Sequence, residues 1–581
     1  MSASSRESAA GAGWRAPGAP PTELGSWTEL LASRRRPPRK PFRWISLDAL
    51  LKSYNDILTR FAGERIVYAQ RQRWLQRLRE AGLDERFDDL VVDRTSLAQP
   101  RFLVVGDPGE GDASQYCVAT AIRGAPRTDF MVLCSDVIYP AGDVNDYADK
   151  FYLPYAEYPG QVYGLPGNHD WYDLLHGFMD NFCDVRVRES FPPVRGWRER
   201  IAKLLWRSPQ EPDRELLDPL RKQFPAWRPD GERPCQPAPY FAIDAGPLRV
   251  IGIDTGINGT LDADQGEWLR RVSAGPRPKV LLTGKPLYVD YKHKPTRIAG
   301  TERTVDDIVR AAENNYVAAI GGDIHNYQRY PVEVDGRVIQ YVVAGGGGAY
   351  MSATHGLKPN SVPKDLPTGV AFPPEDKIRL YPLRGDSLAF YARQAVPYLR
   401  RVLITVFVMA VLLAVVAASL VGVSVLAAVV VGILPLAMLG YLAYVGAPRV
   451  LTLRGPLHDG ELNPNVAAAY LAERYGLRPT RQEARRVVVS SDARKVIELV
   501  MPLRERGFLV RFLSEILDSD RPPFFKHFLL VSVADGKLVI ECRAVPGWAS
   551  TEQDPPVEDR VEIDLAAALR RGVERGEQPA D

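Results

Sequence analysis

Val162-Tyr163-Gly164-Leu165-Pro166-Gly167-Asn168-His169-Asp170 decides how this sequence is read. A short apolar run stops at a Pro-Gly turn, and three polar side chains able to ligate a cation or move a proton follow at once. The same grammar recurs along the chain. Phe102–Val105 runs into Gly106-Asp107-Pro108-Gly109, and Phe130–Cys134 into Ser135-Asp136-Val137-Ile138-Tyr139. Val317–Ile320 runs into Gly321-Gly322-Asp323-Ile324-His325-Asn326. Val250–Ile253, Val280–Leu282 and Ile339–Val343 are further runs of the kind. Short apolar runs without alternation suit strands buried on both faces. The segments between them can hold crossover helices, such as Thr304–Asn314, so the pattern predicts an α/β layered domain with room for antiparallel additions.

Polar residues just beyond the carboxyl ends of several strands fall on one edge of a sheet, where ligands gather. The ligand types here are Asp, Tyr, Asn and His. Carboxylate oxygen mixed with imidazole suits Mn, Fe or Zn rather than a thiolate site. One or two divalent metal ions are therefore expected, with Asp136 the economical bridge between a pair.

The motifs Gly-Asp-x-Gly, Asp-x-x-Tyr, Gly-Asn-His-Asp and Gly-x-x-His, taken in order, resemble the calcineurin-like metallophosphoesterases over about residues 99–350. Asp107-x-Gly109 and Asp136-x-x-Tyr139 are most similar to the purple acid phosphatase branch. Leu261-Asp262-Ala263-Asp264-Gln265 with Trp268-Leu269 resembles a helix start common in that family. The resemblance implies a four-layer α/β/β/α sandwich. It implies Asp107, Tyr139 and His325 on a first metal, Asn168 on a second, and Asp136 bridging. His169 would sit near the leaving group, as acid or as transition-state stabiliser. Asp170 would orient His169 through its other ring nitrogen. A metal-bound hydroxide would attack a phosphate-ester substrate.

Two positions depart from the family pattern. Gly284, followed by Lys285, stands where a histidine is usual, and Asp323 stands where the last motif has its first histidine. Asp323 can replace an imidazole as an oxygen ligand; Gly284 cannot. Lys285 is a candidate for binding substrate phosphate as a point charge. His293 is close enough in sequence to stand in for the missing histidine.

The chain has 581 residues, with 74 basic and 71 acidic side chains and a net charge of +3. That length holds several domains. The near balance argues against a dedicated nucleic-acid binder. A composition 45% hydrophobic and 25% charged excludes a wholly disordered chain. Cys117, Cys134, Cys183, Cys235 and Cys542 show no paired spacing, which predicts free thiols.

Residues 1–40, rich in Ala, Gly, Pro, Ser and Arg, read as a disordered tail rather than a secretory signal. Residues 41–98 read as a helical extension. One helix carries Leu47, Leu50, Leu51, Tyr54, Ile57, Leu58 and Phe61, and a second runs from Tyr68 to Ala81. The metallophosphoesterase domain is expected over 99–395, with 171–239 an insertion placed like a lid. Residues 402–448 hold 47 side chains and no charge. That is too long for one membrane helix and right for two of about 20 residues each. A hairpin over 396–448 is expected, turning near Gly422 and Ser424. Arg393, Arg400 and Arg401 precede the block, and Arg449 and Arg454 follow it. The positive-inside rule then puts both soluble regions in the cytoplasm, with a lipid bilayer as partner. Residues 449–581 read as a C-terminal α/β region. It holds a helix at Asp492–Arg506 and a hairpin joining Phe528–Val533 to Lys537–Cys542 across Asp535-Gly536.

The expectation is thus a membrane-anchored, metal-dependent phosphoesterase. The alternative is a catalytically degraded binding or scaffold module at the membrane, which the two missing histidines favour. A transporter is disfavoured, because two uncharged helices offer no polar pathway.

Overall fold

The expected strand runs form, each within two residues of its predicted ends. The structure is a computed structural model. It describes residues 47–82, 87–223, 236–355, 357, 362–363, 365–387, 390–391, 524–547 and 554–576. The expected tail 1–40, the uncharged block 402–448 and the helix at 492–506 lie outside the described residues. Among the described residues no helix is long and apolar enough to cross a membrane.

The strands of the two large sheets are β1 Val91–Arg94, β2 Arg101–Gly106, β3 Phe130–Cys134, β4 Gln161–Leu165, β5 Phe241–Ala245 and β6 Leu248–Ile253. They continue with β7 Lys279–Thr283, β8 Tyr316–Gly321, β9 Tyr327–Val334, β10 Arg337–Ala344, β11 Val370–Ala371 and β12 Arg379–Tyr381. The last are β13 Lys526–Ala534, β14 Lys537–Val545 and β15 Val557–Asp564. The helices are α1 Leu47–Ser53, α2 Asn55–Ala62, α3 Arg65–Glu80, α4 Ala113–Gly124 and α5 His176–Phe182. They are followed by α6 Trp197–Leu205, α7 Arg214–Gln223, α8 Ala263–Ser273, α9 Val305–Arg310 and α10 Leu565–Gly576.

One sheet has nine strands in the order β1-β5-β6-β7-β8-β10-β9-β11, with β12 also on β9. Its centre, β6-β7-β8-β10, is parallel. The other has six strands in the order β15-β14-β13-β2-β3-β4. The faces of the two sheets meet through Tyr163 and Phe241, whose rings lie 5.5 Å apart. Leu165 packs against Gly252 so closely that a Cβ at 252 would meet its Cδ2 at 2.5 Å. Helix α4 packs on β13 and β14, and α9 packs on β8, so helices flank both sheets. Asp262 caps α8 by accepting from the Gln265 amide, as the sequence at 261–265 predicts. Thr304 and Asp307 form a capping box that starts α9.

The C-terminal hairpin forms as read, but it does not belong to a separate region. β13 pairs antiparallel with β2, from Leu529 opposite Val104 to Ser532 opposite Arg101. Without it, β2 would be a buried apolar strand with an open edge. The physical reason lies in β2 itself, which is buried along five of its six residues. More than 400 residues separate the partners, and no local pattern announces their pairing.

The expected first helix breaks into α1 and α2 at Tyr54, and the second starts one turn early, at Arg65. The insertion supplies α5, α6 and α7, and it packs on the N-terminal extension. Leu58, Ile66, Leu174, Ala202 and Trp206 form one apolar cluster. Arg71 of α3 is fully buried and bonds Asp254 at the end of β6, 2.7 Å away, as well as Asp262. Cys117, Cys134, Cys183 and Cys542 are buried free thiols.

The chain divides into two compact units. The first comprises Met1–Met351, Lys358–Tyr381 and Asp520–Asp581, and it holds both large sheets. The second comprises Ser352–Leu357 and Pro382–Ser519. Within the second, Thr354 donates from its amide to Ser387 Oγ at 3.0 Å and from its hydroxyl to the Pro382 carbonyl at 2.9 Å.

His527 on β13 is fully buried, and neither ring nitrogen has a hydrogen-bond partner among the described residues. Burial, with Lys526 beside it, pushes its pKa from 6.5 down to about 3. The native state therefore keeps it neutral where the unfolded chain takes a proton. Stability from this group is complete above pH 6.5 and falls progressively as pH drops toward about 3. The loss is about 2 kcal/mol at pH 5. Thermal melts of wild type and His527→Leu should show the variant losing less stability than wild type between pH 7 and pH 5.

Candidate metal centre

β2, β3 and β4 end in register, with Gly106 opposite Cys134 and Cys134 opposite Leu165. The residues that follow leave the sheet along one edge: Asp107, Asp136, then Asn168 and His169. β8 in the facing sheet ends at Gly321 and delivers Asp323 and His325. The backbone is forced there. Asp107, Ser135, Asp136 and Asp323 have φ of 51°, 74°, 37° and 66°. Non-glycine residues rarely hold that left-handed region, and such strain gathers at functional sites. The approach is also close. A Cβ at Gly167 would sit 2.1 Å from Asp136 Oδ1, and one at Gly345 would sit 2.4 Å from Asp107 Oδ2.

At the centre lies the Tyr139 hydroxyl. It is 3.3 Å from Asp107 Oδ1, 3.1 Å from Asp136 Oδ2 and 3.1 Å from His325 Nε2. All four residues are buried. Burial lifts the Asp107 carboxyl well above the usual carboxylate range, and the charges of Asp136 and Asp323 add to the effect. Burial lifts Asp136 as well. Tyr139 is held protonated by burial and by the two carboxylates beside it.

These residues suit a cation. Among the described residues neither Asp107 nor Asp136 has an ion pair with lysine or arginine. Buried carboxylates without a counter-charge are costly, and a divalent ion would offset that cost. Three oxygen donors and one imidazole are ligands that Mn, Fe and Zn accept. No three His, Cys, Asp or Glu side chains among the described residues make a metal site by themselves. The tyrosine hydroxyl would be the fourth donor.

The remaining predicted residues sit around this set. Asp323 donates its amide to Asp107 Oδ2 at 2.9 Å, and its carboxylate faces Lys285, whose Nζ is 4.0 Å from Oδ1. Asn168 donates from Nδ2 to the Tyr172 hydroxyl at 3.0 Å. His169 donates its amide to Asp136 Oδ1 at 2.8 Å, and its ring packs 4.6 Å from that of Tyr139.

One expectation is corrected, and one alternative is closed. Asp170 does not orient the His169 ring. Its carboxylate accepts the amides of Val137, Ile138 and Gly167 at 2.9, 3.0 and 2.9 Å. His169 Nδ1 lies 2.8 Å from the Pro140 carbonyl instead. A carbonyl only accepts, so Nδ1 keeps its proton and Nε2 is the nitrogen that gains or loses one. His293 does not replace the absent histidine, because its Nε2 lies 2.8 Å from Asp306 Oδ2. Two aromatic residues escaped the sequence reading. Tyr172 packs tilted against His169 with ring centroids 4.7 Å apart, and Tyr350 packs edge-on against His325 at 4.4 Å. Their one sequence signal is position, just past a strand-end motif.

Residues 100–327 match the family model of the calcineurin-like phosphoesterases. The match takes in all four motifs. No curated protein matches the chain. Among solved structures, a purple acid phosphatase isolated from yellow lupin (Lupinus luteus) seeds is 13% identical, with a TM-score of 0.27. That likeness covers 47% of each chain, so this chain spans about half the length of the lupin protein. GAP50, titled the anchor in the inner membrane complex of Plasmodium, is 10% identical over 49% of this chain and 81% of its own, with a TM-score of 0.27. PhoD is 12% identical over 44% of this chain and 58% of its own, with a TM-score of 0.25. Likenesses this distant say nothing of activity.

Asp170→Asn tests the corrected role. An amide nitrogen in place of one oxygen would face backbone N–H groups that need an acceptor. The expected loss is about 1–3 kcal/mol of stability, read by calorimetry. A partner of the His169 ring alone would leave the melting midpoint unchanged.

Proposed function

We propose that the chain hydrolyses phosphate esters with one or two divalent metal ions, and that residues 402–448 anchor it to a membrane. The observation that carries the first part is the Tyr139 hydroxyl between Asp107, Asp136 and His325. These four side chains would hold the ion. A bound Mn, Fe or Zn polarises a phosphoryl oxygen and lowers the pKa of a bound water. The chain's own groups do the rest. The His169 amide and the Tyr139 hydroxyl fix both Asp136 oxygens in place. His169 Nε2 gives a proton to the departing oxygen, because Nδ1 is committed to Pro140. Lys285 adds a positive charge at the margin, suited to a phosphate oxygen.

Support for the anchor comes from the sheet. β13 follows the uncharged block and hydrogen-bonds to β2, which precedes it. Both flanks of the block therefore lie on one side of any membrane. The block crosses an even number of times, and 47 residues allow two helices. Arginine flanks put that side in the cytoplasm.

Asp136→Asn should remove both bound metal and hydrolysis of generic phosphomonoesters and phosphodiesters. His169→Ala should keep the metal and slow turnover roughly 10²–10⁴-fold. Wild-type turnover in both variants would overturn the assignment. For the anchor, protease on sealed inside-out vesicles should cut both flanks of the block. Protection of one flank alone would overturn the hairpin.

A further inference from the structure

The residues expected around a second metal do not assemble for one. Asn168 donates from Nδ2 to the Tyr172 hydroxyl, which leaves its Oδ1 as the one atom it could offer, and Gly284 has no side chain to offer. A Cβ at 284 would meet Thr255 Oγ1 at 2.8 Å, so any side chain there would have to displace that hydroxyl. His293 is held by Asp306. What does reach Asp323 is Lys285, with Nζ 4.0 Å from Oδ1.

We infer that the Lys285 ammonium takes the place of a second cation, so that the centre binds one divalent ion and one lysine. This rests on the phosphoesterase reading of the site. Lys285 is fixed at its backbone, and its stem runs close over Gly259. Its amide donates to Thr283 Oγ1 at 3.3 Å, and that hydroxyl donates back to the Lys285 carbonyl at 3.1 Å. Its stem crosses Gly259, where a Cβ would come within 2.9 Å of the lysine Cδ. Gly259 has a φ of 78°, so side chains are disfavoured there on two counts. The side chains of Lys285 and Asp323 are only 29% and 17% exposed.

Charge balance points the same way. Asp107, Asp136 and Asp323 interact with one another and carry three negative charges when ionised. One divalent ion and one ammonium cancel them. An ammonium cannot activate a water, but it can neutralise a phosphate oxygen as a fixed point charge with three donors.

The test is metal stoichiometry of the purified full chain. Wild type, Lys285→Met, Lys285→Ala and Lys285→Arg are equilibrated with Mn, dialysed, and measured by elemental analysis and calorimetric titration. Wild type and Lys285→Arg should hold one ion per chain. Lys285→Met or Lys285→Ala should gain a second site, with affinity raised at least tenfold over any second binding in wild type. Two variants guard against one failing to fold. Two ions in wild type, none in wild type, or no gained site in either folded neutral variant would overturn the inference. Hydrolysis measured on the same samples separates the two readings. Turnover by a wild type holding two ions sinks the lysine assignment and leaves the phosphoesterase standing. A one-to-two change in stoichiometry without turnover in any sample does the reverse.

Discussion

The Asp170 carboxylate is the interaction on which the site depends. It accepts the Gly167 amide from the turn after β4, and the Val137 and Ile138 amides from the turn after β3. Burial lifts the pKa of this carboxyl well above the usual range, with the charge of Asp136 adding to the effect, and the three amides offset part of that. The three hydrogen bonds clamp two loops whose backbones would otherwise repel or drift. In return Asp136, one residue before the clamped amides, accepts the His169 amide. The two turns thus hold each other from both sides. The same exchange fixes both the Asp136 carboxylate and the His169 backbone. Gly167 is part of the clasp, because any side chain there would overlap Asp136.

A second buried ion cluster ties the periphery to this core. Arg71, from a helix far earlier in the chain, bonds Asp254 and Asp262. Asp254 also accepts the Trp171 indole N–H at 2.9 Å, and Trp171 directly follows Asp170. Removing one member of a buried pair leaves an uncompensated charge, which costs about 3–5 kcal/mol. The N-terminal extension is therefore fastened within one residue of the clamp. Its companion, the 171–239 insertion, shares an apolar cluster with it and serves as structural support.

What the sequence made legible were the features with local causes. Seven buried strands announced themselves as unalternating apolar runs, and the turn residues after them named the site. The helix start at Asp262 was legible through the family resemblance, and Thr304 as the start of a crossover segment. The failures share a different cause. Asp170 looks like a ligand-orienting carboxylate, and its true partners are backbone amides, which carry no sequence signature. The stems of Lys285 and Gly259 meet only in the fold. Arg71 reads as one of several arginines on a charged helix until burial singles it out. The β2–β13 pairing joins segments that no periodicity connects.

That pairing also explains how the sheet tolerates the long excursion between β12 and β13. Closure entropy grows only with the logarithm of loop length, so each doubling costs about 0.6 kcal/mol. Four ladder positions between β2 and β13, and nine between β13 and β14, are set against it. Leu529, Val531 and Leu538 are fully buried by the return. Full burial of such side chains contributes about 1.5–3 kcal/mol each against that cost. The returning strand covers the open edge of β2, and β2 ends at Gly106, one residue before Asp107. Placement of Asp107 therefore depends on residues more than 400 positions further along the chain.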